Sequence, residues 1–194
     1  MGSLPNKLNF PDDIRVAGVA LMTLHLSNNE IGDIGMEHLS YGIQTNRVIR
    51  ALVLSNNRIG DIGVQHLANA LQNNTTITDL NLSGNDIGNI GAQYLSAVLQ
   101  NNTTIVMLDL SNNQIDDIGA HQLYDSSKKN KTITKLDLLE NRIGDLGVQC
   151  LADALRTNTT LVTLVLSDPL NKKNQISDSA AQYLADALQK NRVL

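Results

Sequence analysis

The side chains best suited to chemistry in this 194-residue sequence are four histidines and one cysteine. His38 and His66 fall at equivalent places in two successive helical segments, and Cys150 falls at the same place in a later one. Helices packed side by side lie roughly 8–10 Å apart, a spacing that disfavours a zinc ion shared by the two imidazoles. No base lies next to Cys150 in the sequence to activate its thiol. We therefore expect no metal site, no cofactor and an inert cysteine.

Paired glycines with the spacing Gly-x-x-Gly recur along the sequence, as at Gly60 and Gly63. Such pairs occur in loops that clamp nucleotides, but here they lack accompanying basic residues and return at a fixed interval. A tight passage from strand to helix explains them better. The sequence also lacks the nucleophile-elbow, Walker and zinc-protease motifs. These observations predict a protein that is not an enzyme.

The charge and hydropathy of the chain argue against two further classes of partner. Its 15 basic and 19 acidic residues give a formal net charge of −4, whereas affinity for nucleic acid rests mainly on Lys and Arg that neutralise phosphates. No apolar run approaches the roughly 18 residues needed to cross a membrane. The N-terminus also lacks the basic stretch and apolar run of a secretory signal. We expect neither nucleic acid nor a membrane as a partner.

One sequence motif, called the phrase below, recurs six times, and each copy begins 28 residues after the previous one. The second copy reads IRALVLSNNRIGDIGVQHLANALQNNTT. A unit of this size cannot bury its own apolar face, whereas stacked units can, so the repetition predicts a solenoid. The copies begin at Leu21, Ile49, Ile77, Ile105, Ile133 and Leu161.

Within each copy, the spacing of the apolar residues changes once, from that of a strand to that of a helix. In the second copy, the side chains of residues 51–54 point alternately to two opposite faces, which predicts a short strand. Residues 64–71 carry apolar side chains at helical spacing, which predicts a helix. Asp61 precedes the helical run, where we predict an N-cap whose carboxylate accepts hydrogen bonds from amides of the same first turn. Asn74 follows the helix, at a position that favours a residue tolerant of left-handed geometry. The predicted unit is strand, turn, helix, turn.

Three columns of aliphatic residues and one of asparagine run through the six copies. The aliphatic columns predict the core, at roughly 1.5–3 kcal/mol for each buried side chain. The asparagines lie where the chain leaves the strand, so we expect their amides to satisfy backbone groups that have lost their sheet partners. The columns are Leu24, Leu52, Leu80, Leu108, Leu136 and Leu164; Leu26, Leu54, Leu82, Leu110, Leu138 and Leu166; Ile31, Ile59, Ile87, Ile115, Ile143 and Ile176; and Asn29, Asn57, Asn85, Asn113, Asn141 and Asn174.

The phrase Leu-x-x-Leu-x-Leu-x-x-Asn-x-Ile, with its 28-residue period and one helix per copy, resembles the ribonuclease-inhibitor type of leucine-rich repeat. The wording NNTTITDLNLSGNDIG is also similar to repeats of intracellular immune receptors and of bacterial effectors delivered into host cells. The resemblance covers residues 21–194. It implies an α/β fold: a right-handed solenoid bent into a horseshoe arc, with parallel strands on the concave face, helices on the convex face, and protein binding through the concave face.

Two regions depart from the repeat. Residues 1–20 do not fit it, and we expect an N-terminal cap or a partly ordered tail there, since the ends of solenoids need covering. Residues 21–194 form the six repeats. The last repeat contains five additional residues between Ser167 and Ile176, which we expect to project from one rim and to expose Leu170.

The outward strand positions vary from copy to copy, so we expect folding to leave them free for recognition; neutral variation on a solvated surface is the alternative. Acidic side chains concentrate at the middle of this face, where a concavity focuses a negative field and favours a partner with a basic or mixed patch. Met107 and Leu139 supply apolar contacts among the charges. The predicted partner-binding residues, centred on Met107, Asp109, Lys135, Asp137 and Leu139, are His25, Val53, Asp79, Asn81, Met107, Asp109, Lys135, Asp137, Leu139, Glu140, Thr163, Val165 and Leu170.

The sequence therefore predicts a non-catalytic module that binds a partner protein as an inhibitor, an adaptor or a bacterial effector. A ligand-sensing fragment of a larger intracellular receptor or effector is the alternative, because the chain stops at the first position of a would-be seventh repeat. A single cysteine and no secretory signal favour a cytoplasmic location, which would be the host cytosol for a secreted bacterial effector. When free, the chain is expected to be a monomer.

Overall fold

Six strand–helix units follow one another through residues 21–166 and 173–191, the parts of the chain that the computed structural model describes. The expected cap at residues 1–20 and the inserted Leu170 lie outside these ranges. The strands are β1 (Thr23–His25), β2 (Ala51–Val53), β3 (Asp79–Asn81), β4 (Met107–Asp109), β5 (Lys135–Asp137) and β6 (Thr163–Val165). The helices are α1 (Asp33–Thr45), α2 (Asp61–Leu71), α3 (Asn89–Leu99), α4 (Asp117–Lys129), α5 (Asp145–Leu155) and α6 (Asp178–Lys190).

The strands form one parallel sheet in chain order, β1 to β6. The register follows the repeat, since Leu52 pairs with Leu24 on one side and with Leu80 on the other. Parallel neighbours require a crossover connection, which one helix per unit provides. Strands lie about 4.8 Å apart and helices roughly 8–10 Å apart, so the stack curves with the strands inside. The expected α/β solenoid, with a concave strand face and a convex helix face, is confirmed.

The core lies between the sheet and the helices. Leu52, Leu54 and Ile59 in the second unit are fully buried, as the aliphatic columns predict. Their equivalents in the first and last units remain partly exposed, because each of those units has a described neighbour on one side only. Within the two described ranges, no helix combines the length and apolar content that crossing a bilayer requires.

From the second unit onward, the asparagine that follows each strand satisfies backbone groups of two units. Asn85 Nδ2 donates to the carbonyl oxygens of Leu82 and Ser83 in its own unit and of Leu54 in the preceding one, at 3.0, 3.2 and 3.1 Å. Its Oδ1 accepts from the amide of Ile59, at 3.1 Å. The expected role of this column is therefore confirmed, and every asparagine of the column after Asn29 also ties its unit to the one before it.

A second asparagine column corrects the geometry expected after each helix. Asn46 and Asn130 have φ of −66° and −65°, so they are not left-handed. Asn74 instead donates from Nδ2 to Ile43 O in the preceding unit, at 2.9 Å, and accepts at Oδ1 from the amide of Ile77, at 2.9 Å. The end of α1 leaves the Ile43 carbonyl unpaired, and the turn before β3 leaves the Ile77 amide unpaired. One side-chain amide satisfies both this acceptor and this donor.

The aspartate expected to cap its own helix caps the next one instead. The N-cap of α2 is Gly60, which makes no side-chain cap hydrogen bond, and Asp61 is the first helical residue. Asp33 Oδ1 in the first unit accepts from the amides of Gly60 and Gly63, both at 2.8 Å. A Cβ on Gly63 would lie 2.7 Å from that oxygen, which accounts for the recurring glycine. The carboxylate thus satisfies free amides at the start of the following helix.

We predict that Asn85→Ala lowers the free energy of unfolding by about 1–3 kcal/mol, because it leaves buried backbone groups without partners. Urea denaturation followed by circular dichroism measures the change. Asn73→Ala is the control, since Asn73 is exposed and should cost less than about 0.5 kcal/mol. Equal losses for the two variants would contradict the bridging role of the column.

We further predict that the last unit loosens in acid. Hydrogen bonds from the hydroxyl and then the amide of Ser177 lower the pKa of Asp145 below its usual value of 3.8. A lowered folded pKa gives stability that is present above the unfolded pKa and is lost as pH falls through the folded one. The protection of α6 amides against hydrogen exchange, relative to their intrinsic rates at each pH, should therefore fall below pH 3.8, and this fall should be smaller in Asp145→Asn. An identical acid response in that variant would contradict the prediction.

Candidate protein-binding surface

The outward residues of the six strands form two rows across the concave face. Parallel register aligns the first residue of every strand in one row and the third residue in the other. The first row contains the predicted residues Asp79, Met107, Lys135 and Thr163, and the second contains His25, Val53, Asn81, Asp109, Asp137 and Val165. The register therefore brings these residues onto one continuous surface.

The centre of this surface lies on β4 and β5. Met107 pairs with Lys135, and Asp109 pairs with Asp137. Met107 is 44% exposed, so a thioether projects from the surface beside the carboxylates. Lys135 Nζ lies 3.6 Å from Asp137 Oδ2 and partly neutralises it. The centre therefore offers an adaptable apolar contact next to a strong negative charge at Asp109.

The third strand position takes part in folding, which corrects the expectation that folding leaves it free for recognition. Asp109 Oδ1 accepts from the amide and the hydroxyl of Ser111, at 2.9 and 2.7 Å. Asn81 makes the same two hydrogen bonds with Ser83, at 2.9 and 2.8 Å. The turn after the strand needs an acceptor, which either Asp or Asn supplies. The choice of a charged acceptor in β4 and β5 is not required by the turn.

Leu139 and Glu140 follow β5 at the rim of the concave face. Leu139 is half-buried rather than fully exposed, and its amide donates to Asp137 Oδ1 at 3.2 Å. Glu140 has φ of 53°, in the left-handed region where other repeats place Asn28, Asn56, Gly84 and Asn112. A glutamate tolerates that region less well than asparagine or glycine. Because of this backbone strain, the turn conformation alone does not explain why a glutamate occupies position 140.

Lys173 contacts two residues at the rim of the concave face, and sequence reasoning missed this contact. It lies at the end of the inserted segment, and its Nζ donates to Asn112 Oδ1 at 2.5 Å and lies 3.5 Å from Glu140 Oε2. The insertion had been expected only to project from a rim. The signal available in the sequence was the glutamate in LLEN, which replaces the asparagine of SNN, together with the basic pair at Lys172 and Lys173.

The electrostatics of the surface are mixed, with an acidic excess. Asp79, Asp109, Asp137 and Glu140 contribute negative charge, and Lys135 lies among them on the strands. Asp79 Oδ2 accepts from the Thr78 hydroxyl at 2.6 Å, which fixes its side chain. In the part of the chain that the structure describes, no group of three His, Cys, Asp or Glu side chains is arranged to hold a metal ion. The arrangement suits recognition of a polar surface by charge and shape.

Solved structures with the same fold share little sequence with this chain. Leiomodin-1 actin-binding site 2 is 19% identical, with a TM-score of 0.64 over 79% of this chain and 87% of that one. The tropomodulin C-terminal domain of Caenorhabditis elegans is 17% identical, with a TM-score of 0.65 over 80% and 92%. An internalin of Listeria monocytogenes is 23% identical, with a TM-score of 0.53 over 89% of this chain and 38% of that one. These likenesses concern the fold.

The repeated phrase itself identifies the family. No curated protein sequence matches the chain. A family model described as Leucine Rich repeat matches residues 21–40, 45–68, 73–96, 101–121 and 129–152, which together exceed half of the chain. The matched segments contain β1 to β5 and the first turns of α1 to α5, where the inward leucines and the bridging asparagines recur. The chain belongs to the leucine-rich repeat family.

Proposed function

We propose that this chain is a non-catalytic module that binds a partner protein through its concave strand face. The observation that carries the proposal is the pair of outward rows, which the parallel register holds in line from β1 to β6. The cross-unit hydrogen bonds hold this surface in place before a partner arrives. A preorganised surface spends little free energy on ordering itself, so more of the contact energy remains for affinity.

The chemistry of the centre selects the partner. Ser111 holds Asp109 through Oδ1, which leaves Oδ2 available to accept hydrogen bonds from a partner. Charge-assisted hydrogen bonds from Arg or Lys to such a carboxylate are stronger than neutral ones. Met107 can fit several partner shapes. The partner surface is therefore basic or mixed, with an apolar group that fits against Met107.

The proposal includes several biological roles that share this surface. An inhibitor or a bacterial effector would cover a functional site of its partner, and an adaptor would recruit the partner. A ligand-sensing piece of a larger intracellular receptor or effector would use the same concave face. We place the protein in the cytoplasm, or in the host cytosol for an effector. Leiomodin-1, whose structure is named for an actin-binding site, makes actin a defined protein to include among the candidates tested.

We predict that Asp109→Asn combined with Asp137→Asn abolishes most partner binding without loss of stability. Asparagine keeps the acceptor that the turn requires, as Asn81 shows in β3, so the double variant changes charge alone. The measurement is retention of partner proteins from native lysate by the immobilised chain, followed by the affinity of each retained protein. Loss of two charge-assisted contacts should weaken binding by roughly 10- to 100-fold.

The matched control neutralises two acids on the convex helices. Glu37→Gln with Asp153→Asn makes the same change in net charge on α1 and α5. Partner retention should be unchanged in this variant and should fall with added salt in the wild type. If both double variants retain the same proteins with the same affinity, the concave acidic centre is not the binding surface.

We also predict that Glu140→Asn stabilises the fold while it weakens partner binding. Asparagine relieves the left-handed strain, and the partly exposed 3.5 Å ion pair with Lys173 contributes less than that relief, so the free energy of unfolding should rise by about 0.5–1 kcal/mol. Urea denaturation and the partner affinity measure the two effects. The reciprocal control is Asn56→Glu at the same turn of the second unit, which should lower stability and leave binding unchanged. Unchanged binding by Glu140→Asn would remove Glu140 from the surface.

A further inference from the structure

A row of exposed aliphatic side chains runs along the starts of the helices. The second residue of each of the first five helices is isoleucine or leucine, and all five are between 52% and 73% exposed. We call this row the aliphatic ridge. Its members are Ile34, Ile62, Ile90, Ile118 and Leu146.

Folding does not require the aliphatic ridge. In α2 the buried helix face consists of residues such as Val64, Leu67 and Leu71, whereas Ile62 lies outside it. In the last unit the same position is Ser179, which is exposed, so the helix forms without an aliphatic group there. Exposed apolar side chains arranged in one contiguous patch mark an interaction surface, whereas scattered ones do not.

The ridge lies on a rim of the solenoid, away from the concave rows. Each member lies in the first turn of a helix, and Cα–Cβ bonds tilt toward the helix N-terminus. The ridge therefore faces the rim where the loops from the strands enter the helices. At about 5–10 Å per unit, it spans roughly 20–40 Å, which is long enough for an interface of standard size.

We propose that a second copy of this chain covers the aliphatic ridge, in an antiparallel arrangement with Ile90 on the two-fold axis. The ridge has a middle member with two members on each side. A two-fold axis through the third unit then places Ile34 against Leu146 of the other copy. It also places Ile62 against Ile118. A curved rim reversed about its own centre keeps the same curvature, so the two ridges coincide along their length, as an isologous interface requires.

The exposed residues beside the ridge complement one another in this arrangement. On the same rim, the residue after each bridging asparagine is Glu30, Arg58, Asp86, Gln114 or Arg142. Arg58 Nη2 contacts Glu30 Oε1 at 3.0 Å, and Arg142 Nη2 donates to Gln114 Oε1 at 3.4 Å, so the side chains form one line across the units. The two-fold axis places Glu30 of each copy opposite Arg142 of the other, and Arg58 opposite Gln114. Opposite charges meet twice at the ends of the contact.

One pair opposes association. Asp86 lies in the third unit, so its two copies face each other across the axis as like charges. Gln114 Nε2 donates to Asp86 Oδ1 at 3.1 Å, which lessens the repulsion without removing it. The proposed dimer is an alternative to the monomer expected from the sequence, and it leaves both concave faces open to their partners. It is therefore independent of the proposed function.

Sedimentation velocity on the full chain tests the proposal. The wild type should become dimeric as its concentration is raised to about 100 µM, because the interface is at the small end of the standard size. Ile90→Lys should weaken the dimer about tenfold or more, because it places two ammonium groups at the axis. Asp86→Asn should strengthen it severalfold, because it removes the like-charge pair. A variant that merely disturbed the fold would not strengthen association.

The register and the specificity need two further comparisons. Glu30→Arg alone should weaken the dimer, and Glu30→Arg with Arg142→Glu should restore it, since the swapped charges meet again. Val162→Lys changes an aliphatic residue that is 83% exposed and outside the ridge, so it should leave the dimer unchanged. A monomeric wild type at the highest concentration, a dimer insensitive to Ile90→Lys, or no rescue by the charge swap would each overturn the proposal.

Discussion

Buried backbone groups that no strand or helix satisfies are the constraint on which this structure depends. Each unit contributes a strand of only three residues. Backbone hydrogen bonds between units continue into the turn, as at Asn56 and Arg58, but several backbone groups of the turns and helix ends still need a side-chain partner. Side chains of the adjacent unit supply that partner at three places: after the strand, at the end of the helix, and at the start of the helix. Because an unsatisfied buried group costs about 1–3 kcal/mol, a unit is stable only when its neighbour is in place.

The same constraint decides where recognition can occur. Inward positions are occupied by leucine and isoleucine, and the polar positions of the turns are occupied by side chains that bridge units. The outward strand positions remain, but the third of them is shared. Asp109 and Asn81 both complete the turn, and only their charge differs. At this position the turn requires an acceptor and leaves the charge open, so the proposed binding surface can differ in charge without a change of fold.

Two surfaces with different chemistry lie on one rigid stack. The concave centre is polar, with carboxylates whose positions the turns fix and a lysine from the inserted segment at the rim. The aliphatic ridge is apolar and depends on the helix starts, where Asp33 and its equivalents hold successive units in close register. A contact at the ridge leaves the strands uncovered. The proposed self-association and the proposed partner binding therefore use separate surfaces of one molecule.

The amino-acid sequence alone predicts the repeating unit, the order of its strand and helix, and the columns that form the core, because one pattern of residue types recurs six times at a constant interval. It also determined the role of the asparagine after each strand, since a buried amide at a turn has few other uses. Those inferences rest on periodicity, which is visible in the amino-acid sequence alone.

The tertiary structure decided the contacts that cross from one unit to the next. Asp61 reads as the cap of its own helix, but its carboxylate reaches the helix 28 residues later, and no local pattern distinguishes the two. Lys173 and Asn112 are 61 residues apart and meet only because the solenoid stacks their turns. The exposure of Ile62 was equally hidden, because an isoleucine at a helix start resembles core until its neighbours are in place. Local sequence specifies a conformation, whereas the partner of a side chain depends on which units lie next to each other in space.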